Sequence, residues 1–313
     1  MTPFFSVVIP LFNKAHYIEA TIKSVLAQTF RDFEIIVVND GSTDGSLDII
    51  KRFGNDKIRL FSQENKGLSA TRNFGISVSK GNIIALLDAD DIWLPNHLQH
   101  IKQLYETFPD AKIYGTDYCE KYNKNSILSV KKNLPEALKN QIFIVEDVFL
   151  SNINQTIFCQ SSLAFNKNIV TNYSVFDKTV TYAEDIDFYI RFCYRYKTAY
   201  FYKVSVEINA NVANQITKSS LLGKTLPNLD KYETWTENHK SLKLYLDFYR
   251  YVFSHLYRLE NQPEKAKRFL SKIDYKNLTV KQIILLKSPI WAIKLINRIK
   301  FFLLKFNFRI TSY

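Results

Sequence analysis

Cysteine is scarce in this chain: Cys119, Cys159 and Cys193 are the only three in 313 residues. An odd count without metal-ligand spacing argues against both a zinc site and a disulfide framework, and it fits a reducing compartment. The opening MTPFFSVVIPLF lacks a basic leader region and runs straight into a strand-like segment, so no secretory signal is read there. No apolar run reaches the roughly 20 residues that a bilayer-spanning helix needs. These absences together predict a cytoplasmic protein. Acidic residues are also missing after Asp274. From residue 215 onward 19 Lys+Arg stand against 7 Asp+Glu, while the first 214 residues carry 23 of each sign, so the whole net charge of +12 sits in the last third. That asymmetry marks a boundary near residue 215. With 46% hydrophobic residues the chain is not disordered, and its length allows one large domain or a domain plus an appendage.

What is present centres on Gly81 to Pro95, GNIIALLDADDIWLP. Ile83 to Leu87 is a short unbroken apolar run that suits a strand buried on both faces of a mostly parallel sheet, with a helix as the rival reading. Asp88, Asp90 and Asp91 follow at once. Three clustered carboxylates repel one another, and folding alone does not require them. Ligands of open α/β sheets collect at the carboxyl ends of strands, where this cluster falls. A hard divalent cation, Mg²⁺ or Mn²⁺, held by carboxylates and substrate phosphates answers that pattern; an acidic turn capping the helix after Pro95 answers it too.

Strand-like runs at Ser6–Leu11, Glu34–Asn39 and Ile58–Ser62 alternate with helical periodicity over His16–Phe30, Ser46–Phe53 and the stretch after Gly67. The alternation predicts an α/β fold, a mostly parallel Rossmann-like sheet with helices on both faces. A further strand is expected from Ala111 to Thr116, with Asp117 at its end. Asn123–Ala137 reads as a mobile surface loop, and Phe158–Phe165 as a strand carrying Gln160, Ser161 and Ser162. In YAEDIDFYIRF (Tyr182–Phe192), Ile186, Tyr189, Ile190 and Cys193 recur at helical spacing behind Glu184 and Asp185. Acidic residues at a helix start suit the macrodipole, so capping alone would account for them. Asp187 is read as part of the polar face.

The segments SVVIPLFN, VVNDGSTDGS, ENKGLSATRNFGI and LLDADDIWLP resemble, in this order and spacing, the family-2 glycosyltransferases, inverting nucleotide-sugar enzymes of the GT-A fold. The match is close over residues 1–115 and looser to residue 215. It implies a GT-A catalytic domain over 1–214, with nucleotide-sugar binding in 1–115 and acceptor binding in 116–214, followed by a basic, mainly helical extension over 215–313. By the resemblance Pro10, Phe12 and Asn13 close the first strand beside the nucleotide base, and Asp40 matches the carboxylate that accepts from uracil, which favours a UDP-sugar. Arg72 matches a positive residue near base and phosphates, reached through the Asn65-Lys66-Gly67 loop, with Lys66 among the donor-binding residues. Asp88 matches the ribose-contacting carboxylate and Asp90 the metal ligand of the D-x-D pattern, the pair being the expected holders of the cation. Asp91 supports them or caps the next turn. The same resemblance implies that the E-D pair carries the catalytic base on Asp185, with Glu184 assisting, that Ile142–Leu150 matches the family's helix before the acceptor region, and that Asp117 could face the acceptor sugar. The implied reaction passes a sugar from a nucleotide to a glycan or lipid-linked acceptor, in cell-surface polysaccharide or lipopolysaccharide synthesis.

Past Val212 the doubly wound pattern stops. Thr234–Leu259 and Pro263–Ile273 read as two helices packed as a pair on the catalytic domain, joined by Glu260-Asn261-Gln262. A third helix, Pro289 to about Phe306, sets Lys294, Arg298 and Lys305 against a broad apolar face. It is either an interfacial segment on anionic lipid, which would put the protein at the inner face of the plasma membrane, or a helix buried on its own domain with snorkelling lysines. Two rival functions meet specific absences. A sugar nucleotidyltransferase would carry a Gly-rich basic loop where SVVIPLFNKAHY stands. A nucleic-acid-binding protein would need a recognised motif beside the basic, aromatic tail, and none accompanies it.

Overall fold

The computed structural model describes residues 2–123, 126–129, 131–170, 175–212, 215 and 219–304. Strands β1 (Phe5–Leu11), β2 (Phe33–Asp40), β3 (Ile58–Gln63) and β4 (Ile83–Leu86) run parallel in the order β3-β2-β1-β4. Every residue of β1, β2 and β4 is buried, which is why they read as continuous apolar runs; β3 is the half-buried edge. Helices α1 (Ile18–Leu26), α2 (Ser46–Arg52) and α3 (Leu68–Val78) make the crossovers. Successive residues of β1 point to opposite faces. Phe5, Val7 and Ile9 pack with Ile18, Ile22 and Val25 of α1, whereas Val8 packs with Ile76 of α3. Gly75 makes that second approach feasible, because a Cβ there would lie 2.5 Å from Val8 Cγ1.

Beyond β4 the expected parallel order changes. The chain continues through β5 (Ile92–Trp93), α4 (His97–Thr107), β6 (Ile113–Asn123), β7 (Ser126–Ser129), β8 (Ile142–Ile144), α5 (Val148–Ser151), β9 (Leu163–Asn166), α6 (Glu184–Cys193) and β10 (Thr198–Asn209). The sheet extends as β4-β9-β6-β10-β5, with β9 antiparallel to both neighbours and β10 parallel to β6. This half is mixed, because antiparallel pairs need no helical crossover and so leave no βαβ signature to read. The helix expected over Ile142–Leu150 is instead a strand antiparallel to β10 followed by one helical turn capped by Asp147. The loop expected over Asn123–Ala137 contains β7, paired with β6, and Lys132, whose side chain is buried 3.5 Å from Asp117. Of that stretch 124, 125 and 130 lie outside the described residues. Phe158–Phe165 is a strand only from Leu163; Gln160–Ser162 form a 3-10 turn before it.

The C-terminal third is helical: α7 (Lys240–Leu259), α8 (Pro263–Leu270), α9 (Val280–Lys287) and α10 (Ile290–Leu304). The first of these starts later than its periodicity suggests, because Leu229–Asn238 wind as a 3-10 helix. Leu242, Tyr245, Leu246 and Phe253 of α7 bury against Ile186 and Ile190 of α6 and Phe149 of α5. Phe269 of α8 meets the rings of Phe253 and Tyr257 at 5.6 and 5.9 Å. On α10, Trp291 (70% exposed), Leu295, Ile299 and Phe302 (58%) form an outward stripe, while Ile293 is buried. Lys305 and Phe306 lie outside the described residues. Among the described residues no helix is long and apolar enough to cross a membrane.

Candidate active site

The carboxyl ends of β1, β2 and β4, the start of α3 and the start of α6 surround a cleft of about 930 Å³. Pro10, Phe12, Lys14, Asp40, Lys66, Arg72, Asp88, Asp90, Glu184 and Asp185 all line it. Asn13 does not. With φ at +51° it turns the chain, accepts from Thr43 N (2.8 Å) and donates its own N–H to Ser42 (3.1 Å), so it braces the turn after β2. Asp40 lies in the wall with its carboxylate engaged: Oδ1 accepts from Gln63 Nε2 (2.7 Å) and Lys66 N (2.9 Å), and Oδ2 from Gly67 N (2.9 Å). Gly67 has φ +85°, a conformation glycine adopts without strain, and it turns the chain into α3.

Arg72 joins the two acidic stretches of the sequence. It is 2% exposed; Nη2 meets Asp88 Oδ1 at 2.7 Å and Nη1 meets Glu184 Oε1 at 2.6 Å, with the Phe176 ring 5.2 Å from the guanidinium carbon. Asp88 and Glu184 are 96 residues apart in sequence, yet one planar cation fixes both. Asp185, beside Glu184, makes a hydrogen bond only with the amide of Ile186 (3.0 Å) among those found for the described residues, and stays partly exposed to the cleft. Burial of its surroundings first, and the neighbouring Glu184 second, push its carboxyl up to about 7, against the opposing pull of Arg72. Ala183, immediately before this pair, is left-handed at φ +58° and ψ +40°, a strained choice for a residue with a Cβ and one that clusters at functional sites.

Asp90 Oδ2 receives Lys14 Nζ at 2.8 Å. Burial raises the Asp90 carboxyl despite that lysine, and Asp88 adds to the rise. Asp91, buried at the cleft wall, is engaged by the fold: Oδ2 accepts from Ser161 Oγ (2.5 Å) and Oδ1 from Asn209 N (3.1 Å), and burial together with Asp90 and Asp88 holds its carboxyl well above the usual range. Ser161 also accepts from Asp88 N (3.1 Å), so Asp91 and Ser161 brace the acidic turn. Among the described residues no three His, Cys, Asp or Glu side chains form a ready-made metal cage. The donor set still fits a hard cation completed by phosphate oxygens: the carboxylate oxygens of Asp88 and Asp90 stand at a strand end, and Asp90 already holds one cation, the Lys14 ammonium.

Several site residues had no sequence signal that named them. Lys14 is one; Tyr249, Val252, Phe253 and Leu256 of α7, which line the cleft from the C-terminal third, are further ones. Their spacing marks a helix face, but only the packing of α7 on α6 shows what that face covers. Asp117 lies outside the cleft, paired with Lys132, so it does not face an acceptor there. Asp187 is fully buried, holding Arg191 (2.7 Å), Lys231 (2.6 Å) and Tyr232 (2.5 Å), and thus ties α6 to the 3-10 segment rather than extending a polar face.

Comparison with known proteins bears on this arrangement directly. The model of "Glycosyl transferase family 2" matches residues 6–178. An uncharacterized glycosyltransferase of Rickettsia typhi is 30% identical over 244 residues, covering 77% of this chain and 73% of its own. The GlyG glycosyltransferase of Streptococcus pneumoniae is 41% identical over 121 residues, 38% of this chain and 40% of its own, and an uncharacterized glycosyltransferase of a Nostoc species is 44% identical over 105 residues, a third of each chain. Among solved structures, S. aureus TarS 1–349 in complex with UDP-GlcNAc superposes with a TM-score of 0.58 at 15% identity, over 87% of this chain and 93% of that one, which shows a shared GT-A fold. With the family model matching more than half of the chain, across the cleft-forming strands, and a relative alike over about three quarters of both chains, this chain belongs to glycosyl transferase family 2.

Proposed function

We propose that this chain transfers a sugar from a nucleotide sugar, a UDP-sugar in the first instance, to a hydroxyl of a glycan or lipid-linked acceptor with inversion at the anomeric carbon. The observation that carries the reading is the Arg72 bridge, which sets Asp88 of the D-x-D turn and the Glu184-Asp185 pair on one cleft. Residues 1–214 would act as the catalytic domain, and the 215–313 extension would close the acceptor side through α7.

The nucleotide would lie over the ends of β1 and β2, against Pro10, Phe12 and the Asp40–Lys66 wall. Asp90, with Asp88, would hold a divalent cation, which when bound supplies a Lewis acid for the diphosphate. Lys14 would then leave Asp90 Oδ2 and turn its charge toward the phosphates. Both terminal nitrogens of Arg72 already hold carboxylates, so it acts as a positioning residue. Asp185 takes the proton from the acceptor hydroxyl as that oxygen attacks the anomeric carbon and the bond to the diphosphate oxygen breaks, its electron pair leaving with the nucleotide. A carboxyl near pH 7 is deprotonated enough to be present as base and basic enough to accept the proton. One displacement inverts the centre and needs no covalent intermediate.

The exposed stripe of α10, flanked by Lys294 and Arg298 in a region without acidic residues, supports a peripheral position on anionic lipid at the cytoplasmic leaflet. Screening UDP- and other nucleotide sugars for thermal stabilisation and for metal-dependent nucleotide release tests the central reading. Stabilisation by one UDP-sugar is the expected result; the absence of any response to every nucleotide sugar overturns it.

A further inference from the structure

A second cleft, of about 390 Å³, lies between α8 and the 224–230 segment. We infer that it binds a phosphate group of the acceptor, apart from the donor's diphosphate; this rests on the transferase reading above. Lys224, Arg250, Lys265, Arg268 and Lys272 line it against a single carboxylate, Asp230. That carboxylate is spent, because Arg250 Nη2 reaches it at 2.9 Å and Lys272 Nζ at 2.5 Å, and Arg250 is further held by Glu233 and Asp247. Lys224, Lys265 and Arg268 have no carboxylate partner among the described residues. Three cations thus line one cleft without a carboxylate partner among the described residues, and a phosphate ester would supply the missing charge with oxygens that a guanidinium and two ammonium groups can share.

Local structure explains the convergence. Lys265, Arg268 and Lys272 recur at i, i+3 and i+7 along and just past α8, so they share one face, while Ala266 packs inward and Phe269 stacks on Tyr257. Lys265 Nζ rides 5.4 Å from the Tyr257 ring centre. Apolar Leu226, Tyr257 and Phe269 complete the lining, the mixture expected of a site that orients a ligand by a few charges over a hydrophobic wall.

The cleft is coupled to the catalytic one. Lys224 lines both. Its neighbour Thr225 accepts from Thr181 N (2.9 Å) and Tyr182 N (3.3 Å) and donates to Thr181 Oγ1 (2.9 Å), which pins the rim to the strand of chain leading into Ala183, Glu184 and Asp185. Asp40, Asp88 and Asp90 line only the other cleft, so the donor's diphosphate has its own place. An acceptor whose hydroxyl sits at Asp185 would thus leave a phosphate ester, from a phosphate-bearing glycan or a lipid-linked one, over Lys224, Lys265 and Arg268.

The test is calorimetric titration of glycerol 3-phosphate into full-length protein saturated with UDP and Mn²⁺. Wild type is expected to bind it without displacing UDP, and K265E/R268E to bind it at least ~10-fold more weakly with UDP affinity unchanged. The neutral K265Q/R268Q pair, at exposed positions, is expected to fall between them. Equal affinity across the three proteins, or one-for-one displacement of UDP by glycerol 3-phosphate, overturns the inference. Flotation with phosphatidylglycerol vesicles separates the headgroup source: loss of vesicle recovery in the double variant while glycerol 3-phosphate still binds it normally also overturns it. Absence of UDP binding in wild type would instead count against the transferase reading, and the phosphate titration is read independently of it.

Discussion

Replacing Asp185 by Asn should separate activity from stability in opposite directions. The Asp185 carboxyl stands at about 7 in the fold against an ordinary 3.8, and at 1.36 kcal/mol per tenfold change in proton affinity the ceiling on the cost of ionising it in place is ~4 kcal/mol. Because the side chain is partly exposed, solvent screening reduces this to ~1–2 kcal/mol. The sign follows from proton binding. Between pH 4 and 7 the folded chain keeps a proton that the unfolded chain has released, so wild-type stability falls as pH rises through that window and levels off above it. Asn mimics the neutral acid at every pH. The variant should therefore match wild type at pH 4 and exceed it at pH 8, read as the difference between urea midpoints at the two values. Over the same series nucleotide release should drop ~10²–10⁴-fold, the usual worth of a general base, while UDP binds within about twofold of wild type. Wild-type kcat/KM should show an acidic limb with an apparent pKa of about 7. A variant that retains more than a tenth of wild-type turnover, or a stability difference that stays flat from pH 4 to 8, refutes the assignment.

Other perturbations read other parts of the fold. Arg72→Met leaves Glu184 and Asp88 without their shared partner and should cost ~3 kcal/mol in denaturant unfolding; a loss under ~1 kcal/mol would mean the bridge is not held in solution. Asp90→Ala should remove the Mn²⁺ dependence of UDP binding measured by calorimetry, and an unchanged metal requirement would place the cation elsewhere. Gly81→Ala puts a Cβ 2.6 Å from the backbone of Phe5 and Ser6, so unfolding should become easier by ~1–3 kcal/mol, and an unshifted melting curve would contradict the close approach of that turn to β1. Truncation after Ser288, or Trp291→Glu with Leu295→Glu, should lower recovery with anionic liposomes on flotation; equal recovery with the intact chain rejects the lipid-facing role of α10.

Local patterning was enough for the first half of the sheet, because β1, β2 and β4 are buried on both faces and each crossover is a short amphipathic helix whose period is written in consecutive residues. It also set apart Asp88 and Asp90, which follow an apolar run, whereas Glu184 and Asp185 precede their helix and only the family resemblance distinguished them from a cap. It could not pair them. Arg72 reads as one cation on a helix until folding brings two carboxylates, 16 and 112 residues away, to its two nitrogens. The same limit explains the misread segments: Lys132 in a lysine-rich stretch is buried because Asp117 awaits it, and Ile142–Ile144 is a strand because the edge of β10 is open. Sequence alone determined the fold class, the acidic character of the turns and the basic character of the last third, all of which depend on neighbours along the chain. Tertiary structure alone decided that α7 walls the main cleft, that Lys14 sits on Asp90 and that three basic side chains line a second cleft beside α8 without a carboxylate partner among the described residues, because burial and charge balance are set by residues far apart in sequence that only packing makes adjacent.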